Sequence, residues 1–348
     1  MSKKLFFLIF SIIMVCSCKS LSNNDSIFKK GDMEKLVTNK EKIIEMENKI
    51  KSDNKKIHNI LIIKNNLIAY EFNSDSYDSN KIQNIYSVTK SVMSILIGIA
   101  NEKKYLDLNQ KVLDFFTEYK IENLDDRKKN IKIVDLLTMA SGIQWDEFGQ
   151  FTGVATHGEM VSSKDWIQFI LNQPMIDEPG KSFNYNSGNI HLLSAILQKS
   201  TKLTASEFAD KYLFQYLDIK EYNWIKDPQG INFGAVGLQI SPNDMAKIGS
   251  LYLNKGKWNG KQIINESWVT ESTKKQIATP FPGWNYGYCW WLLPHAQYQI
   301  FSAIGYLGQF IIVIPQTNMI VVITSELTPE EYIGYSSELL YNFILQAF

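Results

Sequence analysis

One serine and one lysine in this 348-residue chain have the types and spacing that acyl-transfer chemistry requires. Ser87 stands three positions before Lys90, which places both side chains on one face of a helix, a turn apart. Lys90 is the only formally charged residue in the apolar stretch 82–101, which predicts a buried helix. Burial disfavours a protonated amine, so the pKa of Lys90 should fall and its free amine can activate a serine nucleophile.

The Ser-x-x-Lys spacing by itself is weak evidence, because the chain contains it three more times, at Ser26/Lys29, Ser52/Lys55 and Ser272/Lys275. Those three lysines lie in polar sequence and are predicted to be solvated. For Ser87 and Lys90 the simpler interpretation is a helix-starting serine followed by a lysine whose amine reaches the surface. Two further segments weigh against that interpretation.

The first of these segments is a polar loop, residues 184–189, that precedes an apolar helix and contains Tyr185, Ser187 and Asn189. Its composition suits a tight turn that aims a phenol and small polar groups into a cleft. The second has Gly305 and Gly308 at the edge of a predicted strand, where glycine allows close approach of a ligand to the backbone. Taken alone, the first would indicate an ordinary loop and the second a β-bulge.

Apolar patterning predicts strands at both ends of the chain and helices between them. The predicted strands span residues 57–63, 67–72, 286–293, 298–303, 309–314 and 319–324. An amphipathic helix is predicted over residues 33–50, and a closing helix begins at the capping box Thr328-Pro329-Glu330-Glu331. Helices in the middle are predicted at residues 133–139, 164–172, 190–199, 205–216, 242–253 and 266–274. We therefore expect an α+β fold with one antiparallel sheet built from both chain ends, flanked by terminal helices, and a mostly helical lobe inserted over about residues 80–275.

The order of Ser87-Val-Thr-Lys90, Tyr185-Asn-Ser187 and a glycine-containing strand resembles the serine penicillin-recognising superfamily. The tyrosine-led loop is similar to that of class C β-lactamases, related esterases and D-amino-acid peptidases. Similar segments cover most of residues 55–327, among them 136–142, 237–247 and 305–315. The stretch 305–309 most resembles the 6-aminohexanoate-oligomer hydrolases. The resemblance implies a β-lactamase/transpeptidase-like fold.

The resemblance also implies a role for each matching residue. Ser87 would be the acylated nucleophile and Lys90 its proton acceptor. Tyr185 would relay protons to the leaving group, its phenolate favoured by the ammonium of Lys90. The backbone N–H groups of Ser87 and Tyr306 would form the oxyanion hole, and the cycle needs neither metal nor cofactor.

Two departures from the family pattern bear on the substrate. Ser187 replaces the usual asparagine, so Ser187 or Asn189 would contact the substrate amide beside Gly305. Ala303-Ile-Gly305 replaces Lys-Thr-Gly and removes the cation and hydroxyl that dock a carboxylate, at a loss of about 1.5–3 kcal/mol for β-lactams and D-alanyl peptides. We therefore favour a carboxylesterase or amidase over a β-lactamase or D-alanyl peptidase. A non-catalytic lipoprotein that binds peptidoglycan or peptides is the alternative of another class.

The first residues resemble a bacterial lipoprotein signal, with Lys3-Lys4, an apolar run over 5–15 and Cys18. We predict a signal peptide at 1–17, a lipidated Cys18, a polar tether over 18–32 and a hydrolase domain over 33–348. We therefore expect the protein to be exported and anchored by its lipid on the periplasmic or cell-surface side of a bacterial membrane. Cys289 would then be the only other cysteine, and we expect it in the core.

The formal charge is balanced, with 36 basic and 36 acidic residues, so nothing indicates a nucleic-acid partner. We expect a small-molecule or short peptide-like substrate. The four histidines, His58, His157, His191 and His295, are dispersed and predict surface or loop positions and no metal site. His157 lies in the stretch 145–160, which could line the pocket. The aromatic residues Trp284, Tyr286, Tyr288, Trp290 and Trp291 would either wall an acyl pocket or pack in the core.

Overall fold

The computed structural model of the chain describes residues 28–150 and 153–348. The predicted signal peptide, Cys18 and most of the tether lie outside the described residues. In the described part the strands are β1 Lys29–Lys30, β2 Ile57–Lys64, β3 Leu67–Asn73, β4 Gln83–Asn84, β5 Asn223–Trp224, β6 Leu238–Ile240, β7 Lys257–Trp258, β8 Lys261–Gln262, β9 Ile277–Ala278, β10 Asn285–Tyr286, β11 Trp291–Leu293, β12 Ile300–Gly305, β13 Gln309–Ile314 and β14 Met319–Ser325.

The helices lie mainly between β3 and β9. They are α1 Met33–Leu36, α2 Lys40–Ser52, α3 Val88–Glu102, α4 Asp126–Lys129, α5 Ile133–Leu137, α6 Thr156–Ser162, α7 Trp166–Asn172, α8 Ser187–Thr201, α9 Ala205–Ala209, α10 Gln215–Leu217, α11 Pro242–Leu253, α12 Glu266–Ser272, α13 Tyr332–Glu338 and α14 Leu345–Ala347. Short 3₁₀ segments occur at Val112–Phe115 and Pro315–Thr317, and π-helical segments at Asp210–Phe214 and Leu339–Ile344. In the described part of the chain, no helix is long and apolar enough to span a membrane.

Nine of the strands form one sheet in the order β1-β3-β2-β14-β13-β12-β11-β10-β9. Every neighbouring pair is antiparallel except β1 with β3. The pairing of β2 with β14 joins strands from the two chain ends at the centre of the sheet. The predicted sheet built from both ends, with helices inserted between its strands, is therefore confirmed.

Successive side chains of the central strands point to opposite faces of the sheet, and those on both faces are apolar. The sheet therefore lies between two hydrophobic cores. In β2, Leu61 and Ile63 pack into the core shared with the helical lobe. Ile60 and Ile62 pack into the core covered by α2 and the C-terminal helices. Helix α3 lies inside the lobe, with every residue from Val88 to Ala100 buried, and packs against β12. The same arrangement brings the start of α3 to the end of β12.

Two boundaries near the chain ends differ from the predictions. The predicted helix over 33–50 is two helices, α1 and α2. Lys29–Lys30, predicted as part of the tether, forms strand β1 and pairs in parallel with Leu67 and Ile68. The edge of β3 has unpaired backbone groups that this short strand satisfies.

Two further boundaries differ in the last quarter of the chain. The predicted strand over 286–293 is interrupted between β10 and β11 by a turn at residues 287–290. In that turn a Cβ on Gly287 would lie 2.0 Å from the Ser272 carbonyl oxygen, and Cys289 has a positive φ of 60°. The closing helix begins at Tyr332 rather than at Pro329. The Thr328 carbonyl accepts hydrogen bonds from the N–H groups of Glu331 and Tyr332, so the capping-box residues form a turn before α13.

Candidate active site

Ser87 and Lys90 lie at the start of α3, where Ser87 is the N-cap residue. The Lys90 Nζ donates a hydrogen bond to the Ser87 Oγ at 2.8 Å and another to the Ala235 carbonyl oxygen at 3.2 Å. Lys90 is only 1% exposed, which confirms the predicted burial and excludes an amine that reaches the surface. Burial lowers the pKa of Lys90 to about 8, although the negative charge of Glu147 opposes the shift.

The residue before the serine has an unusual backbone conformation. Tyr86 has a φ of 46°, in the left-handed region that aromatic residues rarely occupy. The Asn84 Oδ1 accepts a hydrogen bond from the Tyr86 N–H at 2.9 Å and holds this turn. Such strain is common where a backbone turn must present a functional group.

Tyr185 immediately precedes the N-cap of α8 and reaches the same point. The Lys90 Nζ lies 4.8 Å from the centroid of the Tyr185 ring, and Tyr185 and Ser87 line the same cavity. The ring stacks on Trp291 at a centroid distance of 5.7 Å. Burial raises the pKa of Tyr185 well above 10. Tyr185 therefore holds its proton in this state, and a phenolate favoured by Lys90 stays a prediction for the reaction.

The end of β12 lies against the residues that lead into Ser87. A Cβ on Gly305 would be 2.4 Å from the Ile85 carbonyl oxygen, so only glycine permits this approach of the two backbones. Tyr306 follows, and its ring packs edge-on against Tyr86 at 5.9 Å. Among the described residues, neither the Ser87 N–H nor the Tyr306 N–H donates a backbone hydrogen bond. Two candidate oxyanion-hole donors therefore lie at one site.

Glu147, whose side chain is only 9% exposed, is an acid at this site that the sequence analysis missed. Its carboxylate accepts hydrogen bonds from the Trp145 Nε1 at 2.6 Å, from the Ser187 N–H at 2.9 Å and from the Ser187 Oγ. The His157 Nδ1 lies 3.7 Å from the Glu147 Oε1. Burial raises the pKa of Glu147, but the nearby His157, the charge of Lys90 and the hydrogen bond from Ser187 outweigh it and lower the pKa to about 2. Glu147 is therefore ionised and supplies negative charge close to Lys90.

The sequence offered one indication of Glu147, namely its place in the stretch 145–160 that was expected to line the pocket. Nothing in the local pattern distinguished it from the adjacent Asp146. Its role depends on a contact with Ser187, which is 40 residues later in the sequence. Only the fold reveals this contact.

Ser187 and Asn189 are placed differently from the prediction. Both are fully buried in the first turn of α8, and neither lines the cavity beside Ser87. Ser187 binds Glu147, and the Asn189 N–H donates to the N-cap Asn186 Oδ1 at 3.0 Å. In this structure Ser187 joins the loop that carries Tyr185 to Glu147.

A cavity of about 360 Å³ opens beside Ser87. Tyr185, Gly305 and Tyr306 contribute to its lining, and most of the remaining wall is apolar, including Phe148, Phe281, Pro282, Trp284, Trp291 and Ile304. Of the five aromatic residues proposed for a pocket or the core, Trp284 and Trp291 line the cavity. Tyr286, Tyr288 and Trp290 are buried in the core.

Two other predictions from the sequence can be compared with the structure. Cys289 is buried, as expected, although in a turn, and burial raises the pKa of its thiol to about 12. His191, expected at the surface or in a loop, is fully buried and its Nε2 lies 2.9 Å from the Asp227 Oδ2. The described residues contain no group of three or more side chains that could hold a metal ion.

The sheet formed by both chain ends, with its inserted helical lobe, is the fold of the β-lactamases and penicillin-binding proteins, the serine hydrolases of one superfamily. The chain belongs to the Beta-lactamase family, whose model matches residues 62–334. The chain thus belongs to this superfamily of serine hydrolases.

Individual relatives share modest sequence identity with the chain. The 6-aminohexanoate-dimer hydrolase of Paenarthrobacter ureafaciens is 22% identical over 282 residues, which are 75% of this chain and 70% of that protein. Among solved structures, a Bacillus anthracis protein described as a 6-aminohexanoate-dimer hydrolase has a TM-score of 0.76 and 20% identity, over 92% of this chain and 86% of that one. EstCE1, a hydrolase with promiscuous acyltransferase activity, has a TM-score of 0.74 and 16% identity, over 87% and 97%. At these identities the structures establish the shared fold.

The contacts of Glu147 predict how its removal affects stability. Glu147→Gln should lower the free energy of unfolding at pH 7 by about 2–4 kcal/mol, because Ser187 and Trp145 lose a charged acceptor and Lys90 loses its counter-charge. The low folded-state pKa of Glu147 stabilises the wild type above about pH 4.5, its ordinary value, and this contribution is lost as the pH falls towards 2. The difference between wild type and variant should therefore shrink below pH 4.5, as measured by urea unfolding followed by circular dichroism.

Glu122→Gln is the matched control, because the Glu122 side chain is exposed. It should change the unfolding free energy by less than about 0.5 kcal/mol at any pH in this range. Equal stability of Glu147→Gln and wild type at pH 7 would contradict the assigned network.

Proposed function

We propose that Ser87 is the nucleophile of a hydrolase that cleaves esters or linear amides through an acyl-enzyme. The observation that carries the proposal is the 2.8 Å hydrogen bond between the Ser87 Oγ and the amine of a fully buried lysine. Because the pKa of Lys90 falls to about 8, a useful fraction of the amine is unprotonated near neutral pH and can accept the serine proton.

In acylation the Ser87 Oγ attacks the substrate carbonyl carbon while its proton moves to the Lys90 Nζ. The new tetrahedral oxyanion accepts hydrogen bonds from the N–H groups of Ser87 and Tyr306. Tyr185 gives its phenolic proton to the departing alcohol or amine, and Lys90 returns the proton it took from Ser87 to the phenolate. The net result is transfer of the serine proton to the leaving group and of the acyl group to Ser87.

Hydrolysis of the acyl-enzyme follows the same proton path in reverse. Water attacks the ester carbon and gives a proton to Tyr185 while Tyr185 passes its own phenolic proton to the free amine of Lys90. The Ser87 Oγ then leaves with that proton from Lys90. The Tyr185 ring, 4.8 Å from the Lys90 Nζ, lies close enough for the ammonium to stabilise the phenolate that forms briefly in each step.

Esters and linear amides are favoured over β-lactams and D-alanyl peptides. Ala303 is fully buried and does not line the cavity, and the residues that do, Ile304 and Gly305, offer no cation for a carboxylate. The names of two relatives agree with ester or linear amide substrates. They are a 6-aminohexanoate-dimer hydrolase and the hydrolase EstCE1.

A non-catalytic peptide-binding lipoprotein is the competing hypothesis. It gives no reason for keeping a lysine amine buried beside a serine hydroxyl, an arrangement that is expensive unless it is used. The assembly of Ser87, Lys90 and Tyr185 at one cavity favours the enzyme.

Covalent labelling tests the nucleophile. Wild type should react stoichiometrically with a fluorophosphonate probe, with the adduct on Ser87 by peptide mass spectrometry. It should also show a burst with p-nitrophenyl acetate. Ser87→Ala should lose the adduct and at least about 10³-fold in kcat, because the acyl-enzyme can no longer form.

The chain supplies its own control for this experiment. Ser52 has the same spacing to Lys55 but lies at the exposed end of α2, so Ser52→Ala should label and turn over like wild type. Labelling of Ser87→Ala at the wild-type rate, or no labelling of wild type, would favour the non-catalytic hypothesis.

The pKa of Lys90 predicts the pH dependence of hydrolysis. Only the unprotonated amine accepts the serine proton, so kcat/KM should rise with pH and level off above about 8. The charge of Glu147 raises the pKa of Lys90, so Glu147→Gln should move the midpoint of this rise to lower pH. Initial rates with p-nitrophenyl acetate between pH 5.5 and 9.5, corrected for spontaneous hydrolysis, measure the midpoint.

Glu122→Gln should leave the midpoint where wild type has it. A midpoint that stays unchanged or moves upward in folded Glu147→Gln would show that Glu147 does not act on the proton acceptor.

We also propose that the protein is exported and anchored by a lipid on Cys18, on the basis of the residues before Ser20. Wild type expressed in a bacterium should incorporate labelled palmitate and partition into the detergent phase of Triton X-114. Cys18→Ser should lose both properties, because the lipid is the anchor, whereas Cys289→Ser should keep them. Palmitate-free wild type in the aqueous phase would contradict the proposal.

A further inference from the structure

We infer that the cavity beside Ser87 binds an uncharged aromatic or branched aliphatic group of the substrate and rejects a carboxylate there. This inference rests on the proposed function, since it concerns the group attached to the ester or amide that Ser87 attacks. It names a substrate class, whereas the hydrolase proposal names only the scissile bond.

The size of the cavity limits the group. A volume of about 360 Å³ is at the low end of the roughly 300–1,000 Å³ typical of small-molecule sites. Tyr332 and Ile333 of α13 complete the wall, so a helix from the chain terminus closes the cavity on one side. The Trp291 ring is held by stacking on Tyr185. One ring or a short branched chain fits this space.

The apolar surface extends to the solvent. Phe148 and Phe281 line the cavity, yet they are 57% and 53% exposed. Large apolar side chains exposed together around a concave site mark binding surfaces, because their exposure to water is otherwise unfavourable. An apolar substrate group would cover both rings on binding.

The charges around the site would not offset the desolvation of a bound carboxylate. No lining residue in the described part of the chain is formally charged. The nearby cation, Lys90, is buried behind Ser87 and is balanced by the ionised Glu147. A carboxylate that entered the cavity would lose its hydration without gaining an ion pair.

Two matched pairs of esters, assayed by pH-stat, test the inference. Methyl phenylacetate and methyl (4-carboxyphenyl)acetate place the ring on the acyl side, while benzyl acetate and 4-carboxybenzyl acetate place it on the alcohol side. In the series whose ring enters the cavity, the neutral ester should have a kcat/KM at least about tenfold higher than its carboxylated partner. The two series therefore also identify which side of the scissile bond the cavity holds.

A charge introduced at the wall should reverse part of this preference. Ile333 is half-buried at the cavity, so Ile333→Lys places an ammonium at the wall that should reduce the preference at least about fivefold. Ile333→Met, of similar size and no charge, should keep the wild-type preference. Fluorophosphonate labelling of Ser87 reports separately on the nucleophile.

The outcomes separate the two levels of the proposal. Labelled enzyme that hydrolyses carboxylated and neutral esters equally in both series overturns the inference and leaves the hydrolase intact. An unchanged preference in labelled Ile333→Lys also overturns it, since the wall would not contact the group. Absence of both labelling and hydrolysis in wild type overturns the proposed function and this inference with it.

Discussion

The site depends on keeping the amine of Lys90 out of water. Its 1% exposure lowers its affinity for a proton, and the same burial would be prohibitive without neighbours that compensate it. The Ser87 hydroxyl and the Ala235 carbonyl accept its hydrogen bonds, and Glu147 supplies the opposite charge. Two opposing influences thus set its pKa near 8: desolvation drives it down and Glu147 limits the fall. Without desolvation the amine would stay protonated and would be a poor base. Without the charge of Glu147 its burial would cost more free energy.

The sheet supplies the other half of the site by a close contact of two backbones. The Gly305 Cα lies against the Ile85 carbonyl, two residues before Ser87, and no larger residue fits. This contact fixes the end of β12 relative to the start of α3, so donors from distant parts of the chain meet at one point. Preorganised N–H groups stabilise an oxyanion without reorganising during the reaction. The pairing of β12 with β13 and of β13 with β14 makes this position rigid.

The sequence predicted the parts of this site that depend on local pattern. The apolar run around Lys90 predicted α3. A short run over 298–303 predicted β12, which lies two residues later, at Ile300–Gly305. It misjudged what long-range contacts determine: the burial of His191 and the interruption between β10 and β11. Glu147 escaped notice for the same reason, since a carboxylate in a loop is ordinarily solvated and only the fold removes its water.

The departure at Ser187 and the unexpected Glu147 have one physical explanation. A serine hydroxyl at the third position of the Tyr185 loop is short, and it donates to the Glu147 carboxylate, as the Ser187 backbone N–H does. That pair fixes the loop carrying Tyr185 and, through the same carboxylate, the charge beside Lys90. The residue that looked like an altered substrate contact therefore binds the carboxylate beside Lys90 and does not line the cavity. At the place of the missing hydroxyl, Ile304 lines the cavity, so the wall there is apolar.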